Sequence, residues 1–260
     1  MAAPSPLMFP REHGAYGQLL FPILTALAIG RPGVGALALA AAAVCAFLAH
    51  EPLLVLLGQR GPRAAREDGS RARWWFGGFA TAAVGFAIAA IAALPPAARV
   101  ALGAPAAIGL LVGAVIFSRR EHTMGGEIVT AAALAALASP LALGAGAAPL
   151  AARTVALVYV ASFISATLCV HGVILFTRQP PAVQARTLGA TFAVAAVAAL
   201  ATLARSSVVS ASAPWGALPM CAGGVMLVAM PPSARQLRTV GWTLVGTTLL
   251  TSLVLVVSLR

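Results

Sequence analysis

Three of the four histidines in this chain stand beside an acid, as Glu12–His13, His50–Glu51 and Glu121–His122, while Glu127 follows two glycines and His171 stands alone. With only six acids in the chain, composition alone gives about 0.2 such neighbours. An imidazole next to a carboxylate can relay a proton or hold a divalent metal. The mixture of nitrogen and oxygen donors suits a transition metal better than Mg2+, which prefers oxygen ligands. The expected metal set is Glu12, His13, His50, Glu51, His122, Glu127 and His171, with Glu51 and Glu127 as the catalytic carboxylates. Plainer roles stand beside these. Glu12, His13, Glu121 and His122 can be solvated loop charges, His171 a neutral core histidine, and Glu127 a complement to a helix dipole.

The elements that carry these residues are apolar. The chain is 60% hydrophobic and 9% charged, too little polar surface for a water-facing protein of 260 residues. Soluble enzymes, secreted disulfide scaffolds and disordered chains are excluded on that balance. Runs long enough to cross a bilayer core of about 30 Å extend over about 15–30, 34–57, 75–94, 100–117, 126–143, 154–176, 188–204, 215–230 and 240–259. Nine unalternating Ala, Leu and Val runs exclude a transmembrane β-barrel. The expected fold is all-α, a single integral membrane domain over 1–260 with about nine spans. The first and eighth runs are the shortest. No basic segment precedes the first run, so a removable signal peptide is not expected.

All 17 basic residues are arginines. With odd spans running outward, 12 of them fall on one side: Arg11, five between 60 and 73, and pairs at 119–120, 178–186 and 235–238. The positive-inside rule then makes the N-terminus cytoplasmic and the C-terminus external, as in a bacterial-type inner-membrane protein. Such placement accounts for the basic charge without nucleic acid. The acid–histidine pairs and His171 then fall toward the cytoplasmic ends of the first, second, fifth and sixth spans. If those spans share a cavity, imidazoles and carboxylates meet there.

His50 and Glu51 interrupt a long apolar run, and Pro52 after them frees a carbonyl. From Gln59 to Arg73 the sequence QRGPRAAREDGSRAR reads as a loop whose arginines set orientation. Arg60, Arg63 and Arg66, with Arg119 and Arg120 elsewhere, can also grip a phosphate head group through forked bonds. Cys45, Cys169 and Cys221 lie inside apolar runs and imply no disulfide framework. No P-loop, HExxH or CxxC motif occurs.

Residues 9–30, FPREHGAYGQLLFPILTALAIG, carry EHGAY, which resembles the EHGAW signature of the YwiC-like membrane proteins. GGE at 125–127 resembles their glycine–glutamate signature, and HEP at 50–52 and RTVGW at 238–242 fit the same order. That family carries no established activity, so the resemblance implies a membrane fold and no reaction. A more distant likeness is to UbiA-type intramembrane prenyltransferases, through the nine spans, the polar patch ending the second and the stretch 117–144. That likeness implies a lipid-open cavity acting on a prenyl diphosphate. The NDxxDxxxD pattern that holds Mg2+ in those enzymes is absent, and 170–186 contains no acid.

The leading expectation is a metal-dependent intramembrane enzyme, UbiA-like, acting on a lipid or isoprenoid phosphate. The alternatives are a metal or haem carrier and a non-catalytic assembly factor in the bilayer.

Overall fold

The structure, a computed structural model, describes residues 8–9, 13–178, 183–232 and 237–260, the side chains of His13, Arg178, Leu237 and Arg238 excepted. Glu12 therefore lies outside the described residues. The elements are helices: α1 (His13–Ala28), α2 (Val34–Leu56), α3 (Pro62–Ala93), α4 (Pro96–Ala101), α5 (Gly103–Phe117), α6 (Met124–Ala136), α7 (Ala138–Gly144), α8 (Pro149–Arg178), α9 (Val183–Arg205), α10 (Ala213–Ala229) and α11 (Leu237–Leu259). With α4–α5 and α6–α7 each taken as one span, seven are long and apolar enough to cross a membrane, and Gly14–Ala28 and Ala213–Ala229 are shorter apolar helices. These match the nine expected runs, the short ones being the first and eighth. The chain is an all-helical, multi-pass membrane protein.

One expectation is corrected. The arginine-rich stretch is not a loop through Arg73, because α3 begins at Pro62. Proline fits the first turn, where its missing N–H is not needed. Arg63 and Glu67 pair at 2.9 Å across one turn, and Arg71 meets Asp68 at 3.2 Å. These i,i+4 and i,i+3 pairs support about three extra turns of helix. The only loop left between α2 and α3 is the short turn before Pro62. There Gly58, at φ +69, ends α2, with Gln59 N–H donating to Leu54 O and Gly58 N–H to Val55 O. This is the Schellman closure, which needs a left-handed residue.

The chain forms two compact units. In the first, residues 34–94, α2 and α3 make a helical hairpin. Gly35 lets their far ends meet, since a Cβ there would stand 2.9 Å from the Ala93 carbonyl carbon. Near the turn, Val55, Ala72 and Met8 form a buried cluster under Trp75. Trp75 stacks on Phe79 and meets Phe9 edge-on.

The second unit, residues 14–33 and 95–260, is centred on α8. This helix packs against α6, α7, α9 and α10, and Tyr159 and Phe163 are its largest fully buried side chains. Helix contacts here use small residues, as expected where lipid supplies no hydrophobic drive between helices. A Cβ on Gly189 would stand 3.0 Å from the Cys169 backbone, joining α9 to α8. Arg186 on α9 donates to Val228 O at the C-terminal end of α10, at 3.0 and 2.6 Å, and lies 4.7 Å over the Phe176 ring. That arginine is spent on capping carbonyls.

Helix α1 is tied into this unit at its C-terminal half. The Tyr159 hydroxyl lies 2.6 Å from Thr25 Oγ1 and 2.7 Å from Ser252 Oγ, linking α8 to α1 and α11. Beyond α1, Arg31 N–H donates to Ala145 O at 2.6 Å. Replacing Tyr159 by Phe keeps the ring and strands the buried Thr25 hydroxyl. We expect a loss of about 1 kcal/mol in stability, read as a lower midpoint of thermal unfolding in detergent for Tyr159→Phe.

Candidate functional site

The turn between α5 and α6 fixes the first functional group. Arg119, at φ +57, closes α5, with Arg120 N–H donating to Val115 O and Arg119 N–H to Ile116 O. Thr123 then caps α6. Its hydroxyl donates to Arg120 O at 2.7 Å and accepts from Gly126 N–H at 3.2 Å, the arrangement that satisfies a free N–H at a helix start. Gly126 is required, since a Cβ there would collide with Arg120 O. One residue on, Glu127 lies in the first turn of α6.

From there Glu127 reaches α8. Its Oε2 accepts from His171 Nε2 at 2.9 Å, with both side chains part exposed. The two residues are 44 apart in sequence. Glu127 also lines a cavity of about 200 Å³ within the second unit. Its lining runs from Gly14 to Phe21 on α1, from Phe163 to Val170 on α8 and from Gly241 to Thr248 on α11, with Glu127 from α6 and Met220 from α10. Each of the three long stretches covers eight residues, which makes the cavity about 10 Å deep along the helices. Below Phe21, Phe163 and Thr248, one turn further, lie Thr25, Tyr159 and Ser252, whose hydrogen bonds close the floor.

Two observations mark this cavity as more than a packing defect. Gly17 lies within α1, yet a Cβ there would meet only the Phe21 ring, at 3.7 Å, and at Gly14 and Gly241 it would meet nothing within 4 Å. A helix-interior glycine costs about 1 kcal/mol relative to alanine, and packing does not ask for it here. Thr167, 8% exposed, lines the cavity with Gln18, and among the described residues neither side chain makes a hydrogen bond. Polar groups converging on an apolar concavity are the usual form of a small-molecule site.

The remaining expected residues whose side chains are described are not in this cavity's lining. Glu51 belongs to the first unit, is buried, and is held by Arg60 Nε at 2.9 Å and Nη2 at 2.5 Å. This fork is an ion pair closing the α2–α3 turn. α2 runs through Pro52 to Leu56. Arg63 is engaged by Glu67, and His122 lies 3.1 Å from Glu121. Among the described residues no three His, Cys, Asp or Glu side chains come within metal-binding reach of one another. The structure brings together Glu127 and His171 and leaves His50 and Glu51 in the other unit. Sequence reasoning missed Thr167, Gln18 and the glycines as lining. A signal was present in α8, where Tyr159, Phe163, Thr167 and His171 recur every fourth residue and so share a face.

Three of the segments that drew notice in the sequence contribute to the one cavity: EHGAY through Gly14, GGE through Glu127 and RTVGW through Gly241. A family model described as YwiC-like protein matches residues 9–140. Neither a curated protein nor a solved structure matches the chain.

The Glu51–Arg60 fork carries its own test. Arg60→Ala leaves a buried carboxylate without its two bonds, and we expect about 2 kcal/mol of destabilisation, below the fully buried case because Arg60 is part exposed. Adding Glu51→Gln to Arg60→Ala should restore part of the loss in thermal unfolding. A larger loss in the double variant would assign Glu51 a partner beyond Arg60.

Proposed function

The chain belongs to the YwiC-like family, and we propose that it is an intramembrane enzyme acting on a lipid-soluble substrate at the Glu127–His171 pair. The observation that carries this reading is the pairing itself, a carboxylate that lines the cavity and an imidazole from another helix bonded to it, with Thr167 and Gln18, which make no hydrogen bond among the described residues, in the same lining. In this reading His171 gives or takes a proton at the substrate's polar end. Glu127 orients the ring and balances the charge that His171 gains. The apolar walls exclude water and hold the rest of the substrate in place.

A divalent transition metal, if bound here, would be held by His171 and Glu127 in place of their mutual hydrogen bond and would supply Lewis acidity at the substrate's oxygen. The phosphate suggested by the arginines fits the cavity poorly. Among the described residues its lining holds a carboxylate and no arginine, and Arg60 and Arg63 are engaged by Glu51 and Glu67. A transferase of the UbiA type would therefore have to meet its diphosphate elsewhere.

The test compares untargeted lipid extracts of membranes producing wild type, Glu127→Gln or His171→Ala at equal, folded abundance. We expect at least one lipid-soluble species to change in wild type and to stay at the level of empty membranes in both variants. Profiles that are the same in all three preparations would falsify the catalytic reading. Elemental analysis of the same purified proteins reports on the metal, which should fall with either substitution if both residues are ligands.

A further inference from the structure

Resting on that reading of the site, we propose that the cavity takes the uncharged, oxygen-bearing head of a membrane-dissolved molecule, an alcohol or carbonyl rather than a phosphate. The head is small. A cavity of about 150 Å³ accepts benzene, so about 200 Å³ holds no more than about ten non-hydrogen atoms. Any longer tail stays in the bilayer, from which the helices on every side of the cavity are drawn.

The polarity of the lining selects the head. Among the described residues Glu127 is the one ionisable group of the lining, and it is hydrogen-bonded to His171. An anionic head would enter against that carboxylate, with no arginine among the described lining residues to receive it. A hydroxyl or carbonyl meets a better match. Thr167, 8% exposed, and the half-buried Gln18 line the cavity and make no hydrogen bond among the described residues, and a polar side chain so placed gains when a ligand pairs it. The space is kept by absence of side chains: Gly17 leaves room that a Cβ would fill without touching anything but the Phe21 ring. A side chain larger than alanine at position 17 therefore takes up space that the ligand would occupy.

The experiment uses the full chain purified in detergent and two probes of equal chain length, 1-decanol and decyl phosphate, with thermal unfolding as the readout. Ligand that binds only the folded state raises the midpoint. The expected result is a rise with 1-decanol in wild type, none with decyl phosphate, and none with either in Gly17→Leu. Thr167→Val, which keeps the volume and removes the hydroxyl, should weaken 1-decanol about tenfold and serves if Gly17→Leu does not fold. The proposal is overturned if decyl phosphate stabilises as much as 1-decanol, if neither does, or if both variants respond as wild type. Decanol-selective binding with unchanged membrane lipids keeps this assignment and removes the catalytic reading. Phosphate-selective binding with variant-dependent lipids does the reverse.

Discussion

Hydrogen bonding within a solvent that offers no partners is the constraint behind this structure, and the Tyr159 hydroxyl is where it acts most widely. Lipid offers no partner to a phenol or a threonine hydroxyl, which favours arrangements in which such groups meet. Tyr159 does so with Thr25 and Ser252 and thereby joins α8 to α1 and α11 at one level. Above that level the same helices are furnished with glycines and unpartnered polar groups, and they enclose a cavity. The hydroxyl cluster thus both holds α1 and defines how deep the cavity goes.

The two carboxylates expected to be catalytic, Glu51 and Glu127, have opposite characters in the fold. Glu51 is buried and gripped by a forked guanidinium from the adjoining turn, which consumes its lone pairs and fixes its geometry. Such a pair serves the hairpin. Glu127 accepts a single bond from an imidazole on another helix and is part exposed at the cavity. It keeps acceptor capacity for a ligand, and its partner can change protonation state. On these grounds the proposed chemistry is assigned to the second pair.

The spans were legible because about 20 apolar residues between polar breaks leave few alternatives in a chain this hydrophobic. The start of α3 was not, since its charges masked a helix-forming pattern in which Pro62 opens the first turn and Arg63–Glu67 spans it. Hydropathy registers the charges and is blind to their spacing. For the site, Glu127 and His171 were both recognisable as candidates, but their meeting depends on how α6 packs on α8, which no local pattern encodes. Gly17 and Thr167 were invisible for a related reason. Glycine and threonine are ordinary in membrane helices, and only the space around them shows that packing does not require the one and does not satisfy the other.

The most direct measurement is an experimental structure of the protein in lipid nanodiscs, at a resolution that shows side chains and bound molecules. The account predicts non-protein density in the cavity between α1, α8 and α11, in hydrogen-bond contact with Thr167 or Gln18 and reaching the Glu127–His171 pair. A cavity closed by Phe21 turning into the space beside Gly17, with Thr167 bonded to protein and Glu127 apart from His171, would contradict it.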